Sequence, residues 1–139
     1  MNRILGLDVG DKWIGVAVSD GLNLTAQPLT TIERTSNKKA YEDIEHLIHE
    51  YDIHNIVVGL PKNMNNTLGP QAEKVMVFAE KLKNKFRVEI TYIDERMTTI
   101  SAERVLIEGD VRREDRKKYV DKIAATYILQ THLDQRRDI

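Results

Sequence analysis

Six consecutive residues near the start of the chain, Ile4-Leu5-Gly6-Leu7-Asp8-Val9, carry a single charge and no alternation of apolar with polar positions. A strand with one wet face alternates with period two. An unbroken apolar run belongs to a strand covered on both faces. Asn55-Ile56-Val57-Val58-Gly59-Leu60 repeats the pattern. A sheet holding two such strands needs elements on both of its sides, which points to an α/β architecture. With 139 residues, one compact domain over 1–139 is expected.

The remaining elements follow from local pattern. Gly10-Asp11-Lys12 reads as a tight turn in which glycine supplies positive φ, and Trp13 to Ser19 as the second strand of a hairpin. Asp20-Gly21-Leu22-Asn23 is another turn signal. A third strand lies within Thr25 to Glu33; Pro28 inside it cannot donate to a ladder and assigns it to a sheet edge. Ser36 or Asn37 caps a helix over roughly 37–51, with Ile44, Leu47, Ile48 and Tyr51 at helical spacing. After the strand 55–60 comes a polar loop to Gly69, then a helix from about Pro70 to Lys85 with Ala72, Val75, Phe78, Ala79 and Leu82 on one face. Val88 to Ile93 is a fifth strand. Thr98 or Thr99 opens a short helix to about Glu108, and a basic loop 109–118 leads to a last helix over roughly 115–134. The order β-β-β-α-β-α-β-α-α gives tight antiparallel turns first and right-handed parallel crossovers later. The expected fold is a five-stranded mixed sheet flanked by helices.

Three acids sit where acids are costly. Asp8 interrupts the most apolar segment of the chain, and a buried carboxylate must be paired, hydrogen-bonded or bound to a cation; the bland alternative is a strand-end Asp accepting turn amides. Asp121, Ala124, Ala125 and Ile128 are spaced i, i+3, i+4, i+7, so Asp121 shares the packing face of the last helix. The alternative there is a first-turn acid favoured by the helix dipole. Glu95 follows the fifth strand directly, and ligands in α/β sheets bind beyond the carboxyl ends of parallel strands. The alternative is a surface turn residue paired with Arg96. Three carboxylates meeting at one place repel one another unless a cation offsets them. An oxygen-only set selects hard ions, Mg²⁺ or Mn²⁺. A pair of such ions roughly 3.5–4 Å apart is the standard apparatus of in-line phosphodiester cleavage. That chemistry requires no protein nucleophile, and the chain has no cysteine. His46, His49, His54 and His132 are not at ligand spacing with these acids and read as surface or helix-edge residues.

Bulk charge names no partner. The net charge of −1 is not that of a generic nucleic-acid binder. Locally, Arg112, Arg113, Arg116, Lys117 and Lys118 fall within seven residues. They read either as a solvated helix start or as a phosphate-binding loop. Trp13 is expected to pack, with base stacking as its alternative, and Tyr119 is not assigned. The first residues are too short an apolar run for a signal peptide, and no stretch nears the ~20 apolar residues of a membrane span. A cytoplasmic chain without a membrane partner is expected.

Four motifs in order carry a family resemblance. Asp8-x-Gly10-x-Lys12-x-x-Gly15-Val16-Ala17-x-Ser19-Asp20, Val58-Gly59-Leu60-Pro61, Asp94-Glu95-Arg96-x-Thr98-Thr99 and Val120-Asp121-Lys122-x-Ala124-Ala125 resemble the YqgF family over essentially the whole chain. The resemblance implies a ribonuclease H-like fold like that of RuvC Holliday junction resolvases. It implies a nuclease maturing the ends of pre-16S ribosomal RNA, with a ribosomal particle as a partner. Asp8, Glu95 and Asp121 match the family's acidic catalytic and metal-holding positions, with Mg²⁺ or Mn²⁺ as cofactor. Lys12 and Arg96 match basic positions that contact phosphate, and Arg112, Arg113 and Arg116 would extend that contact. Arg96 has a second reading, in which it holds Glu95 or Asp94 in place. One position departs from the family: its Asp-Gly-Ser/Thr turn after the Gly-Leu-Pro segment reads Asn65-Asn66-Thr67 here. Asparagine also tolerates left-handed geometry.

Rival functions share the residues. A resolvase cutting branched DNA would use the same acids but needs two sites related by symmetry, hence a homodimer rather than a monomer. A non-catalytic ribosome-assembly factor would keep the acids without using them. An Asp-x-Gly hairpin also opens nucleotide-binding kinase folds, but those enclose the nucleotide with a second domain for which 139 residues leave no room.

Overall fold

The computed structural model describes residues 3–63, 65–97 and 116–137. Strand β1 spans Ile4–Val9, β2 Trp13–Ser19, β3 Ala26–Glu33, β4 Asn55–Leu60 and β5 Glu89–Asp94. Helix α1 covers Asn37–Tyr51, α2 Pro70–Phe86 and α3 Arg116–Arg137, with a 3₁₀ turn at Glu95–Met97. The expected short helix near 98–108 lies outside the described residues. The fifth strand is shifted one residue from its expected span.

The five strands are ordered β3-β2-β1-β4-β5. The β1–β2 and β2–β3 pairs are antiparallel, and β1–β4 and β4–β5 are parallel. β3 is an edge, as Pro28 requires, and its ladder with β2 slips between Val16 and Ala17. A bulge there absorbs the residue that cannot be paired in register.

The pleat divides the side chains of the central strands into two cores. Leu5, Leu7, Val9, Ile56, Val58 and Leu60 join Ile44, Ile48, Phe78 and Leu82 under α1 and α2. Ile4, Val57 and Ile93 join Ala124, Ala125, Ile128, Leu129 and Leu133 under α3. The face under α3 is made shallow by glycine. A methyl group at Gly6 would come within 2.7 Å of Leu129 Cβ and 3.1 Å of the Ala125 carbonyl. One at Gly59 would meet Ile128 Cδ1 at 2.3 Å. Both distances are below any real contact, so α3 lies nearly on the backbone of β1 and β4. This second core is what both faces of β1 being apolar demanded.

Caps and turns follow the composition of their segments, with one correction. Ser36 accepts the Lys39 amide at 3.1 Å and opens α1, and Pro70 occupies the first turn of α2. Glycine supplies no positive φ anywhere among the described residues. Gly10 is needed for space instead: its amide donates to the Trp13 carbonyl at 2.9 Å, and a Cβ would sit 2.7 Å from that oxygen. In the next turn the left-handed residue is Asn23 (φ 56°). Asn23 Oδ1 accepts from Ser19 Oγ at 2.6 Å, and Ser19 Oγ in turn accepts the buried Ile4 amide at 2.8 Å. Among the described residues no helix is long and apolar enough to cross a membrane.

The glycine contact under α3 makes a paired prediction. Gly6→Ala should destabilise the chain by about 1–3 kcal/mol in urea unfolding, the usual cost of overpacking. Gly21→Ala, which meets nothing within 4 Å, should change stability by no more than ~0.5 kcal/mol. Equal effects of the two would show that α3 does not press on Gly6.

Candidate functional site

Asp8 lies one residue before the end of β1 and is 8% exposed, one of two buried polar residues described. Gly6, two positions earlier, faces α3, and Leu7 faces the opposite core. Alternation therefore sends Asp8 to the α3 side. Its level on the next strand is set by register: Gly6 pairs with Val57 and Leu7 with Val58, so Asp8 is followed across by Gly59. Gly59 pairs in turn with Ile93 of β5.

Glu95 arrives at the same place from the other side. It is the first residue of the 3₁₀ turn that ends β5, and it is half-buried. Its Oε1 lies 2.9 Å from where a Gly59 side chain would begin. The carboxylate thus occupies the space that glycine leaves open. Neighbouring strands are about 4.8 Å apart. Two carboxylates, from β1 and from the end of β5, flank one bare β4 residue at the carboxyl end of three adjacent parallel strands. Gly59 is the site residue that reading for acids does not find. Its signal is a glycine inside the apolar run Ile56–Leu60, where a β-branched residue would be ordinary.

Helix α3 approaches this end of the sheet with its first half. Gln130, in its second half, accepts the Ala26 amide at 2.8 Å and donates to the Leu24 carbonyl at 3.2 Å. Ala26 pairs with Ser19, at the end of the sheet where β1 begins. Ala125 and Leu129 lie over Gly6. Asp121 is one turn before Ala125, toward the end where β1 finishes; its side chain is outside the described ones. Among the described residues no three acidic or histidine side chains gather at one point.

The basic candidates separate. Lys12 is exposed in the β1–β2 turn, at the same end of the sheet as Asp8. Arg96 is bound to protein: its Nε reaches both Asp94 oxygens at 3.1 and 3.2 Å, Nη2 reaches Asp94 Oδ2 at 2.7 Å and Asn66 Oδ1 at 2.8 Å, and Nη1 donates to the Asn63 carbonyl at 3.1 Å. Arg112 and Arg113 lie outside the described residues, and Arg116 and Tyr119 are placed only as residues of α3. Trp13 is half-buried and lines a groove with Leu47 and Thr31. His46, His49 and His54 are exposed. His132 is half-buried on α3 with Nε2 unpartnered among the described residues, and burial holds its pKa below the usual value. A cleft of about 790 Å³ lined by Arg34, Tyr41, Lys74, Val77 and Phe78 lies on the α1–α2 side, on the other face from α3.

Comparisons with known proteins bear on the family and the fold. The family model described as RuvX, Holliday junction resolvase, matches residues 2–135. A protein of Thermoanaerobacter pseudethanolicus named "Putative pre-16S rRNA nuclease" is 57% identical over 137 residues, covering 98% of this chain and 99% of its own. A protein of the same name from Clostridium botulinum is 54% identical over 132 residues, with 95% and 96% covered. In structure, Thermus thermophilus RuvC in complex with a Holliday junction substrate is similar with a TM-score of 0.63 at 12% identity, over 99% of this chain and 97% of that one. The fowlpox virus resolvase bound to junction DNA gives 0.57 at 11% identity, over 96% and 98%. At such identities the likeness establishes the fold, which is the resolvase type of the ribonuclease H-like sheet expected from the motifs.

The Arg96–Asp94 contact gives the site a predictable acid response. The hydrogen-bonded guanidinium holds the Asp94 carboxyl below its usual value. A carboxyl whose folded pKa is depressed adds stability above its unfolded value of about 3.9, and that stability is lost as pH falls through the folded value. Wild type should therefore be more stable than Asp94→Asn at pH 7, by urea midpoint. The gap should stay level down to about pH 5 and close below about pH 4. A gap that closes near pH 6 would assign the effect to another group.

Proposed function

The chain belongs to the RuvX family, and from that premise we propose that it is a divalent-metal-dependent nuclease that processes the ends of pre-16S ribosomal RNA. The observation that carries this reading is the approach of Asp8 and the Glu95 carboxylate to the bare β4 residue Gly59, at the carboxyl end of the parallel strands. The relatives' name supplies the substrate.

The residues fit a hard cation. Asp8 is a buried carboxylate inside an apolar strand, a place where a bound cation stabilises the charge. Asp8 and Glu95 offer only oxygen, which suits Mg²⁺ or Mn²⁺ rather than zinc. Asp121 would complete the set from α3. Bound there, such ions supply the positive charge that makes water a nucleophile and offsets the leaving oxygen. The protein's part is to hold its acids in place and to bring a phosphate up to them. Lys12, on the turn beside Asp8, is placed to meet the backbone of a nucleic acid, and Arg112, Arg113 and Arg116 are candidates for the same role. Hydrolysis breaks one P–O bond and adds water across it, so no cysteine, serine or histidine nucleophile is required.

A DNA junction resolvase is the second reading, favoured by the likeness of fold to junction-bound RuvC. The chemistry would be the same and the substrate different. A ribosome-assembly role without catalysis is the third.

Cleavage of a labelled single-stranded precursor RNA fragment separates these. Wild type should cut with Mn²⁺ and not with EDTA. Asp8→Asn should lose more than the ~10–100-fold that removal of an outer-shell partner brings. Cleavage that persists in Asp8→Asn would overturn the site. Cutting of a four-way DNA junction but not of RNA selects the resolvase, and cutting of neither selects the assembly role. A second test needs no substrate. Asp121→Asn should raise the metal-free melting temperature by relieving repulsion among the acids, and a lower one would mean that Asp121 does not face them.

A further inference from the structure

We propose that Arg96 is a positioning residue that fixes the Glu95 turn to the β4–α2 loop, with Asn66 as its partner in that loop. The proposal rests on Glu95 being part of the proposed metal site and adds to it what holds Glu95 over Gly59.

The contact has three parts. Arg96 closes on its own turn: its amide donates to Asp94 Oδ1 at 3.0 Å while its guanidinium grips both oxygens of the same carboxylate. Glu95 is the residue enclosed between these two partners. The guanidinium then reaches across about thirty residues of sequence to the loop, to the Asn63 carbonyl and Asn66 Oδ1. All three of its nitrogens are engaged, and Arg96 can do this because the planar fork presents donors on two edges at once.

The loop is built to receive it. Lys62 bridges Leu68, the Asn63 amide donates to the Thr67 carbonyl at 2.9 Å, and the Asn66 amide donates to the Asn63 carbonyl at 2.9 Å. Thr67 Oγ1 donates to Asn65 Oδ1 at 2.6 Å. Asn66 is left-handed, φ 69°, a conformation that glycine adopts most freely. Glycine would satisfy the backbone but offer no acceptor. Asparagine tolerates the backbone and also presents Oδ1 to Arg96, so the residue that departs from the family turn carries the contact. The loop itself begins directly after β4, next to Gly59 and Leu60.

A phosphate-contacting arginine and a positioning arginine differ in what they change. Loss of a phosphate contact lowers the slope of log affinity against log salt by about one. Loss of a positioning contact leaves that slope alone and lowers kcat. RNA binding across a salt series without metal, Mn²⁺ titration calorimetry and steady-state cleavage would be measured for wild type, Arg96→Gln, Asn66→Gly and the double variant. Arg96→Gln should cut kcat and Mn²⁺ affinity by roughly 10–100-fold, as outer-shell partners do, with KM and salt slope unchanged. Asn66→Gly, which keeps the backbone and alters no charge, should lose part of this, and the double variant should be no worse than Arg96→Gln. A salt slope reduced by about one with kcat unchanged, or fully additive variants, overturns the proposal. Amide hydrogen exchange distinguishes its failure from that of the nuclease reading. Asn63 and Asn66 amides should lose protection in Arg96→Gln whether or not the chain cuts RNA, and unchanged protection refutes the clamp. If protection falls while wild type proves inactive, the nuclease reading fails and the clamp between turn and loop stands.

Discussion

Helix α3 rests on two glycines, and most of the arrangement around the acids depends on that. Cβ atoms at Gly6 and Gly59 would overlap Leu129 and Ile128, so any larger residue would lift the helix from the sheet. The close approach has two effects. It completes the second face of β1 and β4, allowing both strands to be apolar throughout. It also brings the helix's first half to the end of the sheet where Asp8 lies, while Gln130 anchors the second half at the opposite end. The packing contact and the placement of the candidate site are therefore one feature. Burial of the Ile128–Leu129 stripe stabilises the helix in that position.

Gly59 serves both purposes at one atom. It is bare toward Ile128, which lets α3 pack, and bare toward Glu95 Oε1, which lets the carboxylate come over the strand. A side chain there would separate Glu95 from the level of Asp8.

Much of this was legible from pattern, and the exceptions have physical reasons. Unbroken apolar runs identified the two central strands because burial on both faces removes alternation. Pro28 identified the edge because a missing donor has only one cheap place in a sheet. The packing stripe of α3, Ala124, Ala125, Ile128 and Leu129, is buried as its spacing required. The failures concern what a residue meets in space. Gly10 was read as a source of positive φ, but it is there because the Trp13 carbonyl leaves no room for a Cβ. Arg96's partners Asn63 and Asn66 lie about thirty residues away, a separation that no local rule spans. Asp8 stood out as an acid inside an apolar run, and Glu95 by its place just after the fifth strand. Gly59 was not, because a glycine's role is visible only from what surrounds it.

The outer strand has a consequence for how copies of this chain can associate. β3 offers neighbours a row of backbone groups interrupted by Pro28, which has no amide hydrogen, and bent at the irregularity opposite Val16 and Ala17. A second molecule trying to continue the sheet across that border would find a donor missing and the strand turned away. Growth into intermolecular ribbons is thus blocked on this side by covalent structure rather than by charge. Pairing of two chains by extending the sheet is disfavoured at this border.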